Sequence, residues 1–272
     1  MKKIDFSVVT ICLNSEKHIE KTMESVIGQK ECNIEYIIKD GNSQDATNKI
    51  VSQVVKRHPD VKIRHLVSED TGIYDAMNQA LEVAEGEWII YMNAGDVFYN
   101  NSVLRDVGRY MEICESAIVY GHTLLKISKD YSFVQIHGTR QMEEVFTLGH
   151  QSCFVKRQLL QKYRFNSQYK VAGDYDLFLR MYHDGTVFNQ INMVISIYNR
   201  EGISAQKSDQ VFWENIQAKY GMVDRTQYKG LLLMWRAKRF LAGIFPFWEK
   251  YRFCKNAMRR NTDFEIGREK AG

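Results

Sequence analysis

The sequence predicts an α/β fold, a mostly parallel sheet flanked by helices, with a C-terminal helical extension. Three observations carry the prediction. Through the first hundred residues, apolar β-rich runs alternate with helix-period segments in the order βαβαβαβ, which implies parallel strands joined by right-handed crossovers. A length of 272 residues suits one large α/β domain plus an appendage, and 44% hydrophobic with 26% charged content is that of a globular chain. The charge is uneven as well. Residues 229–272 hold eleven Lys/Arg against four Asp/Glu, so the overall +4 divides into a tail of +7 and a body of −3.

The elements follow in order. Phe6–Leu13 is a continuous β-rich run suited to a strand buried on both faces. Asn14 and Ser15 are expected to cap a helix that turns Ile19, Met23, Val26 and Ile27 to one side. Ile34–Ile38 is the second strand, and the polar loop Asp40–Asp45 leads to a helix with Ile50, Val51, Val54 and Val55 inward. Val61–Val67 is the third strand, Ile73–Ala84 the third helix and Trp88–Met92 the fourth strand. After Asp96 the rhythm changes. A helix near Val103–Cys114 precedes short strands at Ile118–Tyr120 and Phe133–Ile136, a helix starts near Asp174, and Val194–Tyr198 is a strand. Helices at Gln210–Tyr220 and Gly230–Leu241, a break at Pro246 and a last helix near Trp248–Arg259 complete the reading. The expected division is 1–205, in halves 1–100 and 101–205, and a tail 206–272.

Several classes of function are excluded. Five scattered cysteines without a CxxC pair argue against a zinc ribbon or redox dithiol, and imply thiols in a reducing compartment. A mildly acidic body is not that of a nucleic-acid binder. The start of the chain has neither the apolar stretch nor the cleavage site of a signal peptide, and no run approaches the roughly 18–20 apolar residues of a membrane span. The expected location is cytoplasmic, peripheral on the inner face of the cell membrane.

In a parallel sheet, ligands bind outside the carboxyl ends of the strands. Here those ends carry Thr10 and Asn14, Asp40, Glu69-Asp70-Thr71-Gly72, and Asn93-Ala94-Gly95-Asp96. Carboxylates from three loops at one edge would repel one another unless a divalent cation or nucleotide hydroxyls lay among them. The competing reading is that each of them only caps a turn or helix. No GxGxxG or GxxxxGK[ST] segment is present, which argues against a dinucleotide site or a P-loop.

Six segments together resemble the family 2 inverting glycosyltransferases of the GT-A fold: Phe6–Asn14, Asp40–Thr47, Glu69–Asn78, Tyr91–Asp96, Gly149–Ser152 and Ala172–Asp176. The resemblance runs in order through roughly residues 4–205. It implies a Rossmann-like GT-A domain of the bacterial surface-glycan type, and transfer of a sugar from a nucleotide sugar, UDP-linked, with inversion. It assigns Asp40 to the uracil or ribose, with Thr10 and Asn14 nearby, and places Asp70, Gly72, Asp75 and Asn78 along the nucleotide and donor sugar. The family's Asp-x-Asp segment reads Asn93-Ala94-Gly95-Asp96, which leaves Asp96 as the metal ligand (Mn2+ or Mg2+) and Asn93 as a contact to ribose or metal-bound water. Asp174 matches the general base on the acceptor hydroxyl, with Gly173 where the family often has Glu; Asp176 on the acceptor side is the competing candidate, and the alternative for Asp174 is that it only caps its helix. His150 and Gln151 fall on the acceptor side, while Arg200 and Ser204 lie in a loop that could close over the diphosphate.

The tail interleaves Trp235, Phe240, Phe245, Phe247 and Trp248 with Arg236, Lys238, Arg239 and Lys250, as suits an anionic membrane surface and a lipid-linked or oligosaccharide acceptor. A packing cap or an oligomer interface is the alternative. The rival reading of the whole chain is a non-catalytic sugar-nucleotide or glycan-binding module.

Overall fold

The computed structural model describes residues 6–126, 132–135, 137–139, 142–143, 148–199 and 208–244. Contacts divide the chain into two compact units, between Lys219 and Tyr220.

In the first unit, strand β1 (Phe6–Cys12) is buried along its whole length. It pairs in parallel with β2 (Ile34–Asp40) and β4 (Trp88–Tyr91), and β2 pairs in parallel with the edge strand β3 (Ile63–Val67). The register Cys12↔Asp40↔Val67 brings the ends of these three strands to one edge. Alternation along the pleat separates two cores. Val9, Ile11, Ile37 and Ile89 face helix α3 (Ile73–Val83) through Met77, Ala80 and Leu81. Val8, Tyr36, Ile38 and Ile90 form a second core with α1 (Ile19–Ile27), α2 (Thr47–Arg57) and α4 (Val103–Glu112), through Met23, Val51 and Leu104.

Beyond β4 the sheet becomes mixed, where the sequence predicted mostly parallel pairing. Strand β8 (Cys153–Lys156) lies antiparallel between β4 and β6 (Ile118–Lys126). Strand β9 (Phe188–Asn199) runs parallel to β6, β7 (Ser132–Gln135) pairs antiparallel with β6, and the two-residue β5 (Val97–Phe98) adds to β9. Helix α5 (Arg157–Tyr163) follows β8 directly, and α6 (Gly173–His183) carries Leu177, Phe178 and Met181 into the first core. Helix α7 (Ser208–Tyr220), read from the sequence as part of the tail, holds Glu214 against the loop before α6.

The expected cap of α1 is absent. Asn14 takes a left-handed φ of +48°, and the Ser15 carbonyl, not a side chain, receives the His18 and Ile19 N–H groups. In the second unit, Asp224 caps a 3-10 turn (Arg225–Tyr228) by accepting the Thr226 N–H at 2.9 Å. Helix α8 (Lys229–Ile244) follows it, with Leu231, Leu233 and Met234 about half exposed or more. Pro246 and the helix expected near Trp248–Arg259 lie outside the described residues.

Candidate active site

At the strand-end edge, the loops after β1 and β2 are stitched together. The Asn14 N–H donates to Ser43 Oγ at 2.8 Å, and Asn14 Oδ1 accepts the Gln44 N–H at 2.9 Å. Asp40 is fully buried, and its carboxylate accepts the Ser43 N–H at 2.6 Å and the Cys12 thiol at 3.4 Å. In this arrangement it shapes the turn after β2. Thr10 lies inside the sheet. Its buried hydroxyl donates to the Met92 carbonyl at 2.7 Å and accepts from the Tyr36 hydroxyl at 2.8 Å, which ties β1 to its neighbours.

The residue that joins this edge to the next loop is Lys39, which sequence reasoning passed over. Its ammonium is fully buried and donates to the Asp40 carbonyl at 3.0 Å, the Ser68 carbonyl at 2.7 Å and Asp70 Oδ2 at 2.9 Å. Three donors meet three acceptors, the condition under which a buried ammonium is tolerated. Asp70 Oδ1 accepts the Gly72 N–H at 3.1 Å. Gly72 enters α3 at φ +140°, a conformation that L side chains rarely adopt. Asp75 receives the Thr71 N–H at 2.9 Å, the main influence that holds its carboxyl below the usual range, and the Gln79 amide at 3.1 Å. Asn78 exchanges both its amide groups with the Phe165 backbone, at 2.8 and 3.0 Å. Asp75 and Asn78 thus serve the helix start and a loop, while Asp70 and Gly72 stay at the strand-end edge.

The centre of the site joins the segment after β4 to the start of α6. Asn93 Nδ2 donates to His150 Nε2 at 3.0 Å, and His150 Nδ1–H donates to Asp174 Oδ2 at 3.1 Å. On its other oxygen Asp174 accepts the Tyr74 hydroxyl at 3.3 Å. Burial alone would lower the His150 pKa, but the hydrogen bond and charge of Asp174, with the charge of Asp96, raise it above the usual value. His150 therefore orients Asp174, a role the sequence reading did not give it. Asp96 is 6% exposed, and burial, against the pull of His150, pushes its carboxyl up to about 7.

A side chain at 173 has no room. A Cβ there would meet the Tyr74 ring at 2.7 to 2.9 Å, so Gly173 in place of an acid is the steric counterpart of Tyr74. Gly173→Glu is expected to lower the thermal midpoint by several degrees and to cut turnover with it, as overpacking of a buried contact usually costs about 1–3 kcal/mol. A differential scanning calorimetry trace that matches wild type would refute it.

Asp176 accepts Arg180 Nε at 2.9 Å and pairs with Arg180 Nη2 at 2.9 Å one helical turn on. Gln151 is buried over Gly149. Arg200 and Ser204 lie outside the described residues. Glu214, also missed, accepts the N–H groups of Lys170, Val171 and Ala172 just ahead of α6.

Among the described residues no three His, Cys, Asp or Glu side chains form a metal cluster. Mn2+ or Mg2+ shared with phosphates needs only one or two protein oxygens. Asp96 and the buried, unpartnered Asn93 Oδ1 supply one carboxylate and one amide oxygen, and so fit that requirement.

The model of glycosyl transferase family 2 matches residues 7–185. A PGL/p-HBAD biosynthesis glycosyltransferase of Mycobacterium bovis (strain BCG / Pasteur 1173P2) is 26% identical over 202 residues, 72% of this chain and 77% of its own. The crystal structure of S. aureus TarS 1-349 in complex with UDP superposes with a TM-score of 0.62 at 18% identity, over 79% of this chain and 64% of that one. This chain therefore spans just under two thirds of that neighbour. The mannosyltransferase PcManGT of Pyrobaculum calidifontis, in complex with GDP-Man and Mn2+, gives a TM-score of 0.62 at 18% identity over 85% of this chain and 69% of its own. These neighbours show the fold to be GT-A.

Proposed function

The chain belongs to glycosyl transferase family 2, and from that membership we propose that it is an inverting glycosyltransferase with Asp174 as its general base. One observation carries the reading. His150 bridges Asn93, in the metal segment, to Asp174 at the start of α6, so leaving-group and acceptor sides meet through a single imidazole. In a single displacement the acceptor hydroxyl attacks the anomeric carbon and gives its proton to Asp174. The bond from that carbon to the diphosphate breaks, and its electron pair leaves with the phosphate oxygen. Asp96, with the Asn93 amide oxygen, is the set that would hold Mn2+ or Mg2+, and such a cation supplies Lewis-acid charge for the departing diphosphate. Asp70, Gly72 and Asn14 border the donor side, where UDP is the nucleotide favoured by the resemblance and by the UDP bound to TarS.

The donor is tested by thermal stabilisation with a panel of nucleotide sugars, with and without Mn2+. A ligand at 100 times its Kd adds about 2.7 kcal/mol, so the correct donor separates from the rest. A panel in which no nucleotide sugar shifts the midpoint would overturn the reading. Product configuration tests inversion, because a retained anomeric centre contradicts a single displacement.

The acceptor is proposed to be lipid-linked or an oligosaccharide, reached from an anionic membrane surface on its cytoplasmic side. The support is the +7 tail and the exposed Leu231, Leu233 and Met234 of α8. No helix among the described residues is long and apolar enough to cross a membrane. The full chain is expected to co-sediment with anionic liposomes in a salt-sensitive manner, and a chain ending at Tyr228 is not. Equal sedimentation of the two chains would remove the membrane from the proposal.

A further inference from the structure

Residues 164–172, between α5 and α6, form no regular element, and their last three N–H groups meet a carboxylate from far along the chain. Glu214, on α7, is 8% exposed. Its Oε2 accepts the N–H groups of Lys170 at 3.0 Å, Val171 at 2.8 Å and Ala172 at 2.9 Å. Oε1 takes a second contact from the Lys170 N–H at 3.0 Å and one from the Gln210 amide at 2.8 Å. A carboxylate ahead of a helix also suits the positive end of the helix dipole. Simple capping would need only a local Ser, Asp or Asn. Here the acceptor comes from more than forty residues downstream, so the loop is fixed to another helix.

What is fixed touches both sides of the site. Lys170 Nζ donates to the Thr71 carbonyl at 2.7 Å, in the loop that carries Asp70 and Gly72. Gly173 lies against the Tyr74 ring, and the next residue is Asp174, whose carboxylate accepts the Tyr74 hydroxyl. Holding residues 170–172 thus sets where the base stands relative to the donor loop. We propose that Glu214 is a positioning residue for the transfer reaction: by gathering the Lys170, Val171 and Ala172 N–H groups it fixes Asp174 against the donor side, and α7 is thereby a working part of the catalytic unit. The inference rests on the assignment of Asp174 as base.

The test compares Glu214→Ala, Glu214→Gln and Asp174→Asn in the full chain. The readouts are nucleotide release from a pool of UDP-, GDP- and dTDP-linked hexoses with Mn2+, UDP affinity by calorimetry, and amide exchange at 170–172. A misplacement of about 1 Å can cost on the order of 10²-fold in rate. Glu214→Ala is therefore expected to lower kcat by roughly 10–100-fold, with UDP affinity within about twofold of wild type and faster exchange at 171 and 172. Glu214→Gln keeps one acceptor oxygen, so it should lose less of the rate than Glu214→Ala while staying measurably below wild type. Should Glu214→Ala fail to fold, Glu214→Gln and Glu214→Asp carry the test, each with a kcat below wild type at unchanged UDP affinity. Wild-type kcat in the folded Glu214 variants would overturn the inference, and so would equal losses of kcat and UDP affinity. Full turnover by Asp174→Asn would instead overturn the base assignment, whatever Glu214 does.

Discussion

Asp174→Asn is expected to lower transfer by about 10²–10⁴-fold while nucleotide binding persists, the range typical of a lost general base. The amide keeps the shape of the carboxylate. Its oxygen can still accept the Tyr74 hydroxyl or the His150 Nδ1–H, so the start of α6 should survive. What disappears is the basicity that takes the acceptor proton. Calorimetry with UDP and Mn2+ beside a turnover assay separates the two effects. Wild-type turnover would move the base elsewhere, and Asp176 is a poor successor because Arg180 already holds it.

Asp96→Ala should be nearly as severe, with a loss of about 10³-fold if the cation it holds contributes several kcal/mol. The pH dependence gives an independent reading. In the folded protein burial lifts the Asp96 carboxyl to about 7, against an ordinary value of 3.8. Between those two values the unfolded chain has released this proton while the folded chain still holds it. This group therefore favours the folded state less as pH rises through the window, and its penalty is complete above about 7. Asp96→Asn should flatten that part of the stability profile in urea titrations without metal. A cation must displace the proton, so stabilisation by Mn2+ with UDP should grow from about pH 6 to pH 8. A Mn2+ effect independent of pH would place the cation away from Asp96.

The parallel half of the sheet was legible because β1 and β2 are short β-rich runs dominated by Val, Ile, Phe and Tyr, and α1 to α3 keep a helical period. Strand β8 and helix α5 were not, because Cys153–Lys156 and Arg157–Tyr163 abut with no turn residue to divide strand from helix. Strand β5 has two residues, too few for any period to register. Motif position pointed to Asp96, Asp174, His150 and Asp40, but it gave none of the hydrogen bonds that their side chains make. Asp40 shows the difficulty. Its place at a strand end marks a ligand site, while its oxygens go to Ser43 and Cys12. Lys39, Tyr74 and Glu214 escaped notice for the converse reason. Each acts on a partner at least 29 residues away, and no local pattern announces such a pairing. A signal for Lys39 did exist, since a lysine that directly follows the apolar Tyr36-Ile37-Ile38 stretch of a strand needs buried acceptors.

The contact between Gly173 and the Tyr74 ring has a consequence for how this site can change over generations. Position 173 cannot acquire a carboxylate by itself, because the ring occupies the volume that even a Cβ would need. Tyr74 cannot shrink without cost either, since its ring stacks on Phe165 at 5.6 Å and its hydroxyl reaches Asp174. The two positions form an epistatic pair. Each single step toward an acid at position 173 passes through a less fit intermediate, and only the paired exchange relieves both losses. Measured singly and together, the substitutions should depart from additivity by about 0.5–3 kcal/mol, the signature of residues that share one space.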